Sequence, residues 1–291
     1  MIVANERNWR YRLFNTVNAT LLAVISAAMV LPFLYVVLIS FATDKEVLSN
    51  SFLLVPTRFS LEGYRYIFST PVLLHSLGVT VGVTVVGTLV NLFMTVLTAY
   101  PLAHKELMAR RPLMMLITFT MIFNAGIVPT FLIVKSLHLT NTFGALIIPS
   151  AISAFNLIVV KNFFQQLPDG LEESAKIDGA SDPGILMRIV IPLSMPVIAT
   201  FSLFYAVGHW NTFLSAILYI NDSDKWPIQV LLRQIVILSE IGLSDMSDSP
   251  PPPSKIINMA VIVFSTAPIL VFYPFLQKYF AKGVLLGSVK G

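Results

Sequence analysis

The side chains best suited to acid–base or metal chemistry in this sequence are four histidines, His75, His104, His138 and His209, and their scatter builds neither a metal site nor a proton relay. There is no cysteine, which removes disulfides, thiol nucleophiles and thiolate ligands together. Neither HExxH nor the phosphate-binding GxxxxGK(S/T) occurs. Ser202 and Ser215 share an apolar block with His209, but no Asp or Glu lies in that block, and an intramembrane enzyme is disfavoured. What remains is recognition chemistry. Phe201, Tyr205, Gly208, His209 and Thr212 share a helical face, with Trp210 and Asn211 beside them. Aromatic rings next to hydrogen-bonding groups suit a sugar, with its apolar C–H faces and polar hydroxyl edges. The competing reading of the same aromatics is a membrane-interface belt. Asn124, near Pro129, and Asn156 are further polar positions inside apolar blocks. The candidate substrate pathway is therefore Asn124, Asn156, Tyr205, His209, Trp210 and Asn211. A stripe of Thr80, Thr84, Thr88, Asn91, Thr95 and Thr98 either lines a wet cavity or supplies interhelical hydrogen bonds. On the opposite face Gly78 and Gly82 form a GxxxG, a signal for close helix packing.

Long apolar elements must carry these residues. Of 291 residues 56% are hydrophobic and 12% charged, against about 25% charged in soluble domains. Stretches free of Asp, Glu, Lys and Arg cover residues 14–43, 66–104, 112–134, 136–160, 189–221 and 256–277. Each exceeds the roughly 20 residues that cross a bilayer as a helix. The expected fold class is an all-α integral membrane protein with six transmembrane helices, the first too long to be a cleaved signal sequence. Lys105, Arg110 and Arg111 crowd the short loop 104–111, which predicts cytoplasmic N- and C-termini. The net charge of +4 fits orientation and lipid headgroups rather than nucleic acid. The proline run Pro250–Pro253 predicts an extended spacer outside the bilayer. None of the six blocks carries a charge, which argues against proton or sodium coupling and for energy supplied from outside the membrane.

The predicted cytoplasmic segment 161–191, KNFFQQLPDGLEESAKIDGASDPGILMRIVI, is helical in pattern but too polar to enter the membrane. Asp169 with Glu172 three residues on predicts a capping box, and Glu172 and Glu173 can pair with Lys176. Gly179 ends this short helix, and Asp182 before Pro183 predicts the N-cap of the next. Small residues at Ala175, Gly179, Ala180 and Ser181, with apolar Leu171 and Ile177 beside them, imply a partner protein; the plainer alternative is a connector that only turns the chain.

The run Glu173-Ser174-Ala175-Lys176-Ile177-Asp178-Gly179-Ala180, followed by Ile189-Val190-Ile191-Pro192, resembles the EAA loop of permease subunits in bacterial ATP-binding-cassette (ABC) importers. Ser174 departs from the alanine usual there, small for small. Phe123 to Thr130, Tyr205 to Phe213 and the tail from Tyr273 to Gly291 resemble the carbohydrate branch, the maltose-type permeases, and within it the permeases for oligosaccharides and polysaccharide fragments, including uronate polymers such as alginate. The likeness covers residues 10–291. It implies the type I ABC importer transmembrane fold and a multi-pass protein of the bacterial cytoplasmic (inner) membrane. The chain would divide into a tail, first helix and extracytoplasmic loop over 1–71, a permease core over 72–277 with a coupling loop at 161–190, and a cytoplasmic tail over 278–291. The implied coupling residues are Leu171, Glu172, Glu173, Ser174, Ala175, Ile177, Asp178, Gly179 and Ala180. The implied partners are a second, different permease, two ATPase subunits that bind ATP and Mg, an extracytoplasmic binding protein and an oligosaccharide; this chain itself would hold no cofactor and catalyse nothing. The alternative function is an ATP-independent channel or scaffold.

Overall fold

The computed structural model describes residues 9–50, 53–241 and 254–288. The proline run and Lys290-Gly291 lie outside them. Among the described residues every regular element is helical. In chain order these are α1 (Trp9–Ile39), α2 (Asp44–Ser49), α3 (Glu62–Ser69), α4 (Pro71–Ala103), α5 (Arg110–Ile122), α6 (Ile127–Ser136), α7 (Gly144–Ile147, extended by a 3-10 turn to Ser150) and α8 (Ala154–Phe164). They continue with α9 (Asp169–Ile177), α10 (Asp182–Ile185), a π turn (Leu186–Val190), α11 (Ile191–Leu193), α12 (Met195–Trp210), α13 (Leu214–Tyr219), α14 (Ile228–Ile241) and α15 (Lys255–Ser288).

Helices are what such apolar blocks must form, because lipid offers no partner to an open backbone N–H or C=O. The six blocks all lie in helices, but most are not single unbroken ones. Among the described residues, α1 and α4 are the two unbroken helices long and apolar enough to cross a membrane alone. Three further blocks are bent pairs: α5 and α6 at 120°, α7 and α8 at 53°, and the α10–α11 stretch with α12 at 83°. The sixth block lies in α15, which is apolar over Lys255–Val271. Each break has a local cause. Between α5 and α6, Gly126 takes φ +86°, a conformation open to glycine, and its N–H is accepted by the Asn124 side chain at 2.9 Å. Before α8, the Ser153 hydroxyl caps the helix at the Asn156 N–H. Between α11 and α12, Pro192 and Pro196 flank Ser194 and cannot donate to a continuous ladder.

The chain forms two compact units. The first takes the residues up to Thr70 with Gln234–Phe264. Its core is Ile39, Ala42, Leu53 and Ile256, with Tyr35, Val47 and Met259 packed on it. Glu46 holds the loop after α2 by accepting from the Thr57 N–H at 2.6 Å and its hydroxyl at 2.7 Å. Those bonds hold its carboxyl below the usual range. The second unit comprises Pro71–Arg233 and the residues from Ser265 onward. Here α4 is the central mast. Val96, Ala99, Tyr100 and Leu102 pack against Leu157, Val160 and Phe164 of α8 and against Val197, Phe201 and Tyr205 of α12. Nearer its start, Val83 joins Leu146, Ile147, Ala216, Ile220 and Val230.

Candidate functional site

Helix α9 is a polar helix between two apolar blocks, and its two faces divide cleanly. Ala175 packs on the core of the second unit and Glu172 is half-buried, whereas Leu171, Glu173, Ser174, Ile177, Asp178, Gly179 and Ala180 are exposed. Ile177 is 86% exposed, an extreme value for a β-branched apolar residue outside the apolar blocks. The nine coupling candidates thus lie together, with seven outward and two inward. The helix ends as Gly179 predicts. At φ +79° the Gly179 N–H donates to Lys176 O at 3.0 Å and the Ala180 N–H to Ala175 O at 2.9 Å, the paired bonds of a Schellman motif.

Both predicted caps are displaced by one residue. Pro168 and Ser181, not Asp169 and Asp182, occupy the N-cap positions, and neither caps through its side chain. Glu172 and Asp182 have other partners. Glu172 does not reach back to close a capping box, because its Oε2 is taken by His104 Nε2 at 2.8 Å and by the Tyr100 hydroxyl, which donates at 3.3 Å. Lys176 meets Asp182 at 3.5 Å instead of Glu172 or Glu173, an exposed pair of small worth. The His104 ring is fixed on its other side by Tyr100 O, 2.9 Å from Nδ1. Sequence reasoning missed this trio, since 68 residues separate His104 from Glu172. A recess of about 420 Å³ adjoins it, lined by Tyr100, His104, Glu106, Lys176, Asp182 and Pro183 among others.

The substrate-pathway candidates do not converge on one cavity within this chain. Tyr205, His209 and Trp210 are buried. Tyr205 shares a 2.7 Å hydrogen bond with the Thr95 hydroxyl, His209 Nε2 donates to Asn91 Oδ1 at 2.9 Å, and Trp210 Nε1 donates to Ser265 O at 2.9 Å. Asn91 also donates to Ser150 O at 2.7 Å, and the Thr80 hydroxyl accepts the Ile228 N–H at 2.8 Å. At Thr80, Asn91 and Thr95 the polar stripe of α4 is therefore interhelical bonding rather than cavity lining. Asn211 is exposed, donating to Val207 O at 2.9 Å. Asn124 faces a depression of about 520 Å³ with Thr120, Phe123 and Ile152, while Asn156 is buried in the first turn of α8. The GxxxG expectation also needs correction: Gly78 and Gly82 have nothing within 4 Å of a built Cβ and line an open groove. The tightly packed glycine of α4 is Gly87, whose Cβ would fall 2.5 Å from His209 Nε2.

The sequence signature described as "Binding-protein-dependent transport system inner membrane component" matches residues 77–286. The chain belongs to that family. It is a permease subunit of an ABC transporter. Within the family it is 58% identical over 283 residues to the polygalacturonan/rhamnogalacturonan transport system permease protein YtcP of Bacillus subtilis, covering 96% of this chain and 99% of that one. It is 55% identical over 282 residues to protein LplC of the same organism, with 96% of each covered. The fold superimposes with a TM-score of 0.86 on a chain of a bacterial ABC transporter involved in the import of the acidic polysaccharide alginate, at 31% identity, covering 94% of this chain and 98% of that one. The permease carries its exposed helix α9 just ahead of the α10–α11 stretch, which leads through the 83° break into α12.

Proposed function

We propose that this permease subunit moves oligosaccharides or fragments of acidic, uronate-rich polysaccharides into the cell, as one of two different permeases in an importer driven by two ATPase subunits. Both termini and α9 face the cytoplasm of a bacterial cell, an extracytoplasmic binding protein delivers the sugar, and ATP with Mg is held by the ATPases. The observation that carries the reading is α9 itself: an exposed helix presenting Leu171 and Ile177, closed by the left-handed Gly179, in a member of a transport family. A connector needs no exposed isoleucine, whereas a docking helix does. Leu171, Glu173, Ser174, Ile177, Asp178, Gly179 and Ala180 form the docking face, and Glu172 and Ala175 hold it to the bundle. The uronate preference draws on the similarity to the polygalacturonan/rhamnogalacturonan and alginate systems.

Two roles are assigned along the pathway. Asn124 and Asn211, with exposed amides, are the sugar-contact candidates; Tyr205, His209 and Trp210 act as packing polar groups, because their hydrogen bonds are consumed inside the chain. The test is to extract the tagged chain in mild detergent, identify what copurifies, and assay ATP hydrolysis with binding proteins loaded with galacturonate, mannuronate or neutral oligosaccharides. Recovery of a second permease and an ATPase, with hydrolysis stimulated by one uronate, is the expected result. Recovery of the chain alone, without ATPase activity, overturns the coupling claim in favour of a channel or scaffold.

A further inference from the structure

The His104 ring sits between two acceptors. Its Nδ1 is 2.9 Å from a backbone carbonyl, Tyr100 O, which can only accept, so Nδ1 carries a hydrogen. Its Nε2 is 2.8 Å from the Glu172 carboxylate. A neutral imidazole has a single N–H and an ionised carboxylate has none, so the two bonds together need one proton more than that pair holds. Whether the extra proton rests on Nε2 or on Glu172, the count is the same. The site is neither sealed nor fully open, with side-chain exposures of 34% for His104 and 21% for Glu172. Its surroundings are mixed in charge: the Tyr100 phenol from α4, Lys105 and Glu106 after it, Arg110 at the start of α5 bound to Leu102 O, Lys176 from α9 and Asp182 from α10. The trio is a polar link between the end of α4 and α9, and Ala175 adds an apolar contact between α9 and the core of the second unit.

We propose that His104 is a positioning residue that clamps α9 to the end of α4 through the proton it shares with Glu172, so that coupling through α9 weakens when that bond is lost. The claim rests on the proposed docking role of α9 for its consequence, but not for the clamp itself. A bond that carries charge on either partner is stronger than a neutral one.

The decisive experiment uses the full-length chain in lipid nanodiscs and, in parallel, the assembled importer. In nanodiscs, amide hydrogen exchange over residues 169–177 is expected to quicken in His104→Ala and to stay unchanged in His104→Gln, whose amide can still donate to Glu172. Unchanged exchange in His104→Ala overturns the clamp, whatever the importer does. In the importer, His104→Ala is expected to lower substrate-stimulated ATP hydrolysis about tenfold, while His104→Gln keeps it. Full stimulation in His104→Ala, or equal loss in both variants, overturns the positioning role. Faster exchange in His104→Ala of a chain that recruits no ATPase refutes the docking role of α9 and with it the stated consequence, leaving the clamp as a structural bond only.

Discussion

The seam between α4 and α12 and the outer face of α9 invert each other. In the seam, polar side chains are buried: Asn91, Thr95, Tyr205 and His209 bond to one another or to backbone. On α9, apolar side chains are exposed: Leu171 in part and Ile177 almost wholly. Both arrangements are costly for a soluble domain, and each makes sense once the surroundings are named. Lipid rewards polar groups that pair across helices, and it leaves little hydrophobic drive between apolar ones. Water leaves an exposed isoleucine unsatisfied until a protein covers it. The polarity of a residue thus says little about its role here until the medium around it is known.

The sharpest way to break this contrast is Gly179→Trp. Nothing lies within 4 Å of a Cβ built there, so bulk meets no atom of this chain. Insertion and folding are expected to survive, at a backbone cost of about 1–2 kcal/mol for φ +79°, while substrate-stimulated hydrolysis is abolished. Gly179→Ala carries the same strain without the bulk, so normal hydrolysis in Gly179→Trp, or equal loss in both variants, removes the docking explanation. In the seam, Gly87→Ala pushes a methyl into His209 and is expected to destabilise the detergent-solubilised protein by about 1–3 kcal/mol, read as unfolding by a fluorescent probe. Tyr205→Phe loses one interhelical bond and about 1 kcal/mol, with the transport KM unchanged; a KM raised severalfold at unaltered stability would return Tyr205 to the sugar pathway. The smallest effect is at Glu46. Its carboxyl is held below the ordinary range by the Thr57 bonds, so its contribution is present above the unfolded pKa and is lost as pH falls through the folded one. Glu46→Gln is expected to remove that acid-side dependence from the loop's hydrogen exchange.

How much of this was legible in the sequence depends on the range of the interaction. The six apolar blocks and the all-helical fold follow from runs without charge. The left-handed turn at Gly179 follows from one residue in one place. The bends were half visible: Asn124 and Pro129 mark the α5–α6 break, yet the 120° turn passes through the positive φ of Gly126, which no side-chain pattern announces. Cap positions slipped by one residue because a proline or serine in extended conformation begins a helix as readily as the acid that follows it. Helical spacing put Tyr205 and His209 on one face without revealing that α4 faces it. The bond from His104 to Glu172 had no local signal at all.

The length of α4 has a further consequence. Its 33 residues measure about 50 Å at 1.5 Å per residue, against about 30 Å of hydrocarbon in a bilayer. Some 20 Å of excess is taken up by tilt or by overhang at the ends. Tyr100 and His104, at the far end of that mast, therefore ride at a depth governed by the bilayer, so membrane thickness becomes a control variable for their bonds to Glu172. A thicker membrane stands the helix more upright and draws its end toward the acyl chains, where water competes less for those bonds.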